Sequence, residues 1–437
     1  MPLRSSQLRL TSILITLVAG PAAGQQSALE RLGCGACHTA AGSAEHVRNV
    51  APPLGGGTAA RYEPDHLFDY LRDPAPERAA AGAPRMPDFR LDERERLALT
   101  LFLSGGNGGR DARVRRARRT HPDIDRALGA RIFVALNCAG CHEYPRAPVW
   151  RNAPPLGGLG NRLRPEWVRR YLARPHGVRP FGFYAGSGSR MPDFRLTESE
   201  ITALMRELGY GGAAGALAAP PTADGGGGDA LQPWQLHDTR TLLQERLPCL
   251  GCHAIDGVGG RIGPDLAGVA SRLTGDYLER IVREPRRAML GTVMPAADLP
   301  ESVRQRLIAY LRSLAQPAAA SGDLSLAETP ILLPRRTDTA AGSYRRQCAP
   351  CHGATGQGNG YNAPYLPVPP TRHADADHMA TRPDDTLFDG IHGGGRILGR
   401  SARMPDFGHS LSAAHIRTLV AYLRVLCDCE QPAWARR

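Results

Sequence analysis

The chain has no lysine: all 54 of its basic side chains are arginine, set against 42 carboxylates, for a formal net charge of +12 over 437 residues. Lysine is thereby excluded as a metal ligand. Aromatic residues are sparse at 6%, and methionines number only eight. Period-two alternation is not sustained anywhere, which points away from β-sheet and toward an all-α chain. Beyond the first two dozen residues no stretch approaches the ~20 apolar residues that span a bilayer. A mature chain without an integral membrane segment is therefore expected. The positive balance suits steering of partners with acidic docking surfaces and is not read as a nucleic-acid footprint.

The N-terminus reads as an export signal. Arg4 and Arg9 make a basic n-region, Leu10 to Ala19 an apolar run, and Ala22-Ala23-Gly24 a small-residue cleavage site. This predicts a signal peptide over 1–24, cleaved near Gly24.

What the chain has in excess is one pentapeptide. Cys34-Gly35-Ala36-Cys37-His38 recurs in spacing as Cys138 to Cys141 with His142, Cys249 to Cys252 with His253, and Cys348 to Cys351 with His352. Cys-x-x-Cys-His is a c-type haem attachment site. Two thiols three residues apart share one face of a helical turn, so both reach the vinyl groups of one porphyrin. The histidine then presents its imidazole to the iron. One copy resembles a redox dithiol or half a zinc site; four copies use eight of the ten cysteines. The cofactor set read from this is four covalently attached haems c.

Around each motif the same order of segments recurs: a leading helix, the motif, a proline-glycine loop, a middle helix, a methionine loop and a closing helix. The domains are drawn at 25–105, 123–211, 235–315 and 336–430. The closing helices carry apolar residues at i, i+3, i+4 and i+7, as in Ile201, Leu204, Met205 and Leu208, which makes one buried stripe. Between domains lie an arginine-rich stretch at 104–122, a Gly/Ala/Pro stretch at 211–230 and an Ala/Pro/Ser stretch at 316–334. All three are expected to be flexible linkers, the first with a second reading as an electrostatic docking arm.

The second axial position decides between an electron carrier, where a thioether fills it, and an enzyme, where it is open. Three repeats contain Arg-Met-Pro-Asp-Phe, at Met86, Met191 and Met404, and the third has Val-Met-Pro-Ala at Met294. These follow their histidines by 48, 49, 52 and, for Met294, 41 residues. The proline after each methionine restricts its backbone to extended values and shapes the loop. His38, His142, His253 and His352 are thus assigned as proximal ligands, with Met86, Met191, Met294 and Met404 opposite them. Met205, Met289 and Met379 are the fallbacks, and His373, His378 and His392 the competitors at the fourth iron.

This order of elements resembles the class I c-type cytochromes, repeated in tandem as a tetrahaem chain. The resemblance implies an all-α fold of four tandem cytochrome c-like helical domains, crossing first and last helices, and haem attachment outside the cytoplasm, hence a periplasmic location. It also implies a loop proline carbonyl for each proximal imidazole. Pro53, Pro155, Pro264 and Pro364 stand at the matching positions, with Pro52, Pro154, Pro367 or Pro369 as alternatives. Tyr310, Tyr422 and Phe102 correspond to the family's closing-helix aromatic. Cys427 and Cys429, outside the motifs, are read as a disulfide or as a bridge to another chain.

The function expected is electron relay between a protein donor and acceptor, with no catalytic residues and a possible link to a membrane-associated respiratory complex. The alternatives are a haem enzyme of peroxidase or thiosulfate-oxidoreductase type, with the third haem labile, and a cytochrome subunit of a periplasmic dehydrogenase.

Overall fold

The computed structural model describes residues 28–38, 51, 54, 62–74, 86–106, 112–142, 153–180, 182–184, 186–188, 190–210, 231–314, 322–329, 331–332 and 338–436. The expected signal peptide at 1–24, Pro52, Pro53 and the stretch 211–230 lie outside the described residues.

The fold is all-α. Among the described residues, sheet is confined to an antiparallel pair of two-residue strands, β1 (Ala254–Ile255) and β2 (Val258–Gly259). Local signals set the helix starts. In α1 (Ala28–Arg31), α2 (Pro64–Tyr70) and α3 (Glu93–Leu103), the third begins in a capping box between Asp92 and Glu95. Each side chain there satisfies a backbone N–H that the helix itself leaves unpaired. After α4 (Ala112–Thr120), the Asp125 carboxylate caps α5 (Arg126–Ala135) by accepting from Leu128. Proline at the first turn starts α6 (Pro165–Ala173), and a Thr197–Glu200 box starts α7 (Glu198–Met205).

The first two repeats are interleaved. The leading helix α5 of the second repeat lies on the closing helix α3 of the first, where Gly129 sits so close to Ala98 that an added Cβ would fall 2.0 Å from the Ala98 carbonyl oxygen. Phe102 of α3 meets Phe133 of α5 at 5.4 Å between ring centroids. Reciprocally, Ala28 and Leu32, at and just beyond α1, share a buried cluster with Val168 and Leu172 of α6 and Ile201, Leu204 and Met205 of α7. The Glu207 carboxylate accepts from the Ala28 amide at 2.6 Å, tying down the free start of α1. The two methionine loops pair with each other through reciprocal Asp88–Asp193 backbone bonds of 2.8 Å. Arg90 and Arg195 adopt the left-handed region at φ 51° and 50°. Each donates its amide to the aspartate two residues earlier, at 2.7 Å, which offsets the steric cost of that conformation.

The third repeat has an apolar core of its own, bridged to the second repeat through Leu163 and Leu273. Helices α8 (Pro233–Glu245), α9 (Gly275–Arg283) and α10 (Glu301–Ser313) close on Leu243, Leu278, Leu307 and Leu311. In the fourth, α11 (Ala340–Gln347) crosses α13 (Ala413–Cys427) with Tyr344 against Tyr422, and α12 (Asp384–His392) is the middle helix.

Two stretches expected to be linkers are packed where they are described. The arginine-rich one forms α4, burying Val114 and Ala117 and keeping Arg113, Arg115, Arg116, Arg118 and Arg119 exposed. Asp65 of α2 accepts from the Val114 amide at 2.9 Å and pairs with Arg113. Val114 and Ala117, three apart, supply a short apolar stripe that the charge run obscures. Residues 322–329 and 331–332 form a strap over the first two repeats, with Leu326 and Leu332 buried. Glu95 accepts from the Leu326 amide at 2.7 Å and pairs with Arg190 in the interior, while Arg90 pairs with Asp323 at 2.8 Å. Among the described residues no helix is long and apolar enough to cross a membrane.

Candidate haem sites

A single cavity of about 1050 Å³ runs through the first three repeats. Its walls contain Cys34, Cys37, His38, Cys138, Cys141, His142, Cys249, Cys252 and His253, and also Met86, Met191 and Met294. Every residue assigned from sequence in these repeats therefore faces one mainly apolar space. Interleaving changes the partners within it. Cys34 and Met191 belong to the same cluster, so the first attachment segment stands with the second repeat's methionine loop.

The loops are exchanged too. The His38 Nδ1 lies 2.7 Å from the carbonyl oxygen of Pro154. Ala153 donates to the Cys37 carbonyl, and Ala51 to the Cys141 carbonyl. The sequence-based pairing of His38 with Pro53 or Pro52 is corrected accordingly. In the third repeat His253 Nδ1 meets Pro264 O at 2.7 Å, as expected. A carbonyl only accepts, so Nδ1 carries the proton and Nε2 keeps its lone pair for a metal. Burial, aided by the Arg179 and Arg272 charges and opposed by the Pro264 hydrogen bond, holds His253 neutral, its pKa lowered to about 4. Burial lowers that of His38 as well.

Glycine shapes the third site: a Cβ on Gly263 would lie 2.4 Å from the His253 ring. Burial raises the thiols of Cys34 and Cys138 to about 12 and that of Cys249 to about 11, so as free thiols they are protonated. Half-buried Arg179 and Arg272 line the cavity, and desolvation pushes both down to about 10. An apolar cleft with paired thiols, imidazoles, thioethers and surplus cations fits a flat macrocycle bearing carboxylates.

The fourth set lies apart from that cavity. His352 is buried, with Nδ1 2.9 Å from Thr371 O rather than from Pro364, Pro367 or Pro369. The loop simply runs further before its carbonyl turns inward. His373 stacks on His352 at 4.1 Å and hydrogen-bonds Tyr344, so it flanks the proximal ring instead of opposing it. His378 is engaged by Arg382, and His392 stacks on Phe388. Met404 is half-buried on the loop after residues 394–397, while its neighbours Pro405 and Asp406 reach the main cavity. Of the fallbacks, Met205 and Met379 are core residues, whereas Met289 lines the cavity with Met294. Cys427 and Cys429 form a disulfide.

Sequence reasoning missed the aromatic ladders at the start of and along the middle helices. Tyr62, His66 and Tyr70 stack at successive 6.1 Å spacings, and Trp167 stacks on Tyr171 at 4.6 Å, all at the cavity wall. Their i, i+4 spacing was the available signal. Arg179, Arg272, Asn137 and Asn362 carried no signal at all in the linear pattern.

Residues 127–206 and 241–315 match the family model for cytochrome c, and residues 335–423 match that for cytochrome C oxidase, cbb3-type, subunit III. A curated relative, cytochrome c oxidase subunit 2 of Alkalihalophilus pseudofirmus, is 39% identical over 84 residues, covering 17% of this chain and 24% of that protein. The chain thus spans about a quarter of that relative's length. No solved structure matched the chain.

Proposed function

Because this chain belongs to the c-type cytochrome family, with covalently bound haem c and a role in electron transfer, we propose that it relays electrons in the periplasm between a protein donor and acceptor through four His/Met sites. The bound haem supplies a one-electron iron couple. The chain's own part is to hold and tune it. Cys34/Cys37, Cys138/Cys141, Cys249/Cys252 and Cys348/Cys351 are the attachment points. Pro154, Pro264 and Thr371 carbonyls orient three of the four imidazoles. Met86, Met191, Met294 and Met404 offer thioethers that favour the ferrous state, and the apolar walls keep water out. The observation that carries the reading is the shared cavity, whose walls gather the cysteines, histidines and methionines of three of these sets.

The likeness to oxidase subunits favours a terminal respiratory oxidase as the acceptor, with this chain docked to it or part of it. The exposed arginines of α4 suit an acidic docking face.

The test is optical. Haems are counted per purified chain, and the methionine-to-iron band and carbon monoxide binding of the reduced protein are then measured. Four haems with no carbon monoxide adduct are expected. A count below four overturns the site assignment, and one readily bound carbon monoxide makes that iron an open, enzyme-like centre.

A further inference from the structure

The attachment segments stand back to back in two pairs, and each pair is joined by one buried asparagine amide. Asn137, directly before Cys138 of the second repeat, donates through Nδ2 to the Ala36 carbonyl of the first at 2.8 Å, with the Cys37 sulfur at 3.8 Å. Asn362 of the fourth repeat donates to the Gly251 carbonyl of the third at 2.8 Å, with the Cys351 sulfur at 3.2 Å. Ala36 and Gly251 occupy the same position, immediately before the second motif cysteine. The two asparagines come from different places in their repeats, yet they reach the same atom.

Both are deeply buried, Asn137 at 3% and Asn362 at 0% exposure. The approach around them is close enough to require glycine. A Cβ on Gly140 would lie 2.8 Å from Asn137 Nδ2 and 3.1 Å from Ala36 O, and one on Gly260 would lie 2.2 Å from Gly251 O and 2.9 Å from Asn362 Oδ1. Asn362 is held from its other end by the Arg261 amide, at 2.6 Å. Asn137 sits in the left-handed region at φ 56°, which asparagine tolerates better than most side chains.

We propose that Asn137 and Asn362 are positioning residues, the first beside the sulfur of the neighbouring repeat and the second beside that of its own, that organise the chain as two coupled redox pairs, repeats one with two and three with four, instead of four independent centres. This rests on the relay reading above. Each amide locks two attachment segments together, and its N–H, directed at the sulfur of Cys37 or Cys351, places partial positive charge beside one centre of the pair. Positive charge there favours the reduced state. One centre of each pair therefore sits at a higher potential than it would without its asparagine, and electrons exchange across the asparagine faster than between pairs.

The experiment uses the full-length holoprotein, with wild type first shown to carry four haems, so that a failed count sinks the relay reading alone. Asn362→Asp keeps the shape and removes the donor; Asn362→Ala serves if the charged variant does not fold, and Asn137→Asp tests the other pair. Optical redox titration and flash-initiated electron exchange are read together. Asn362→Asp should lower one midpoint potential and slow exchange within one pair, leaving two midpoints unmoved and the methionine band intact. Asn362→Ser, a shorter donor, should restore part of the shift. Unchanged midpoints, or equal shifts in all four, in variants with normal haem content would overturn the proposal.

Discussion

At the scale of single residues, two glycines do work that no other residue type permits. Gly263 lies against the His253 ring, and a Cβ there would meet it at 2.4 Å. Gly263→Ala is expected to push that imidazole off the line set by Pro264, weakening one of the methionine-to-iron bands while the others stay. Near-infrared absorption of the oxidised holoprotein reads this directly. Gly129 is the contact point of α3 and α5, with backbone rather than a flexible side chain on the far side. Gly129→Ala should therefore cost about 1–3 kcal/mol, the range for overpacking, measured as a lower thermal midpoint. The histidines and paired cysteines of the candidate sites were read from spacing alone. The carbonyl partners were not: Pro154 serves His38 from another repeat, and Thr371 serves His352 from a longer loop.

Among elements, the strap and α4 show how a segment of linker composition becomes structure. The buried Glu95 carboxylate receives the Arg190 guanidinium and the Leu326 amide together. Removing one partner of a buried ion pair strands the other charge at about 3–5 kcal/mol. Glu95→Ala should lose that much stability and release the strap, making residues 322–329 the first site of limited proteolysis. Helix α4 relies on Asp65 to accept its Val114 amide. Loss of such a cap costs about 1 kcal/mol, so Asp65→Ala should lower stability modestly and raise amide exchange in 112–120. The helices themselves were readable from capping residues and apolar stripes. Their packing was not, since Val114 and Ala117 are only two apolar residues in an arginine run.

Over the whole molecule, the first two repeats form one unit, because each lends its leading helix and attachment segment to the other's middle and closing helices. A fragment of residues 25–121 is expected to stay unfolded by circular dichroism, since its α1 finds its core only on α6 and α7. Residues 25–211 should fold and take up haem, and so should the third repeat, 235–315, which has an apolar core of its own. A folded, haem-loaded 25–121 fragment would contradict the interleaved arrangement.

The helical class, the four Cys-x-x-Cys-His motifs, the methionine-proline pairs and membership of the c-type cytochromes are legible along the chain, because each rests on spacing within a few residues or on repetition. Only the tertiary structure decided which copy each half packs against. Tandem repeats carry near-identical apolar stripes, so linear order is indifferent to whether α5 meets α3 or α7. The choice falls to contacts that have no pattern along the chain: the Gly129–Ala98 crossing, the Asp88–Asp193 bridge and the asparagine amides buried between attachment segments.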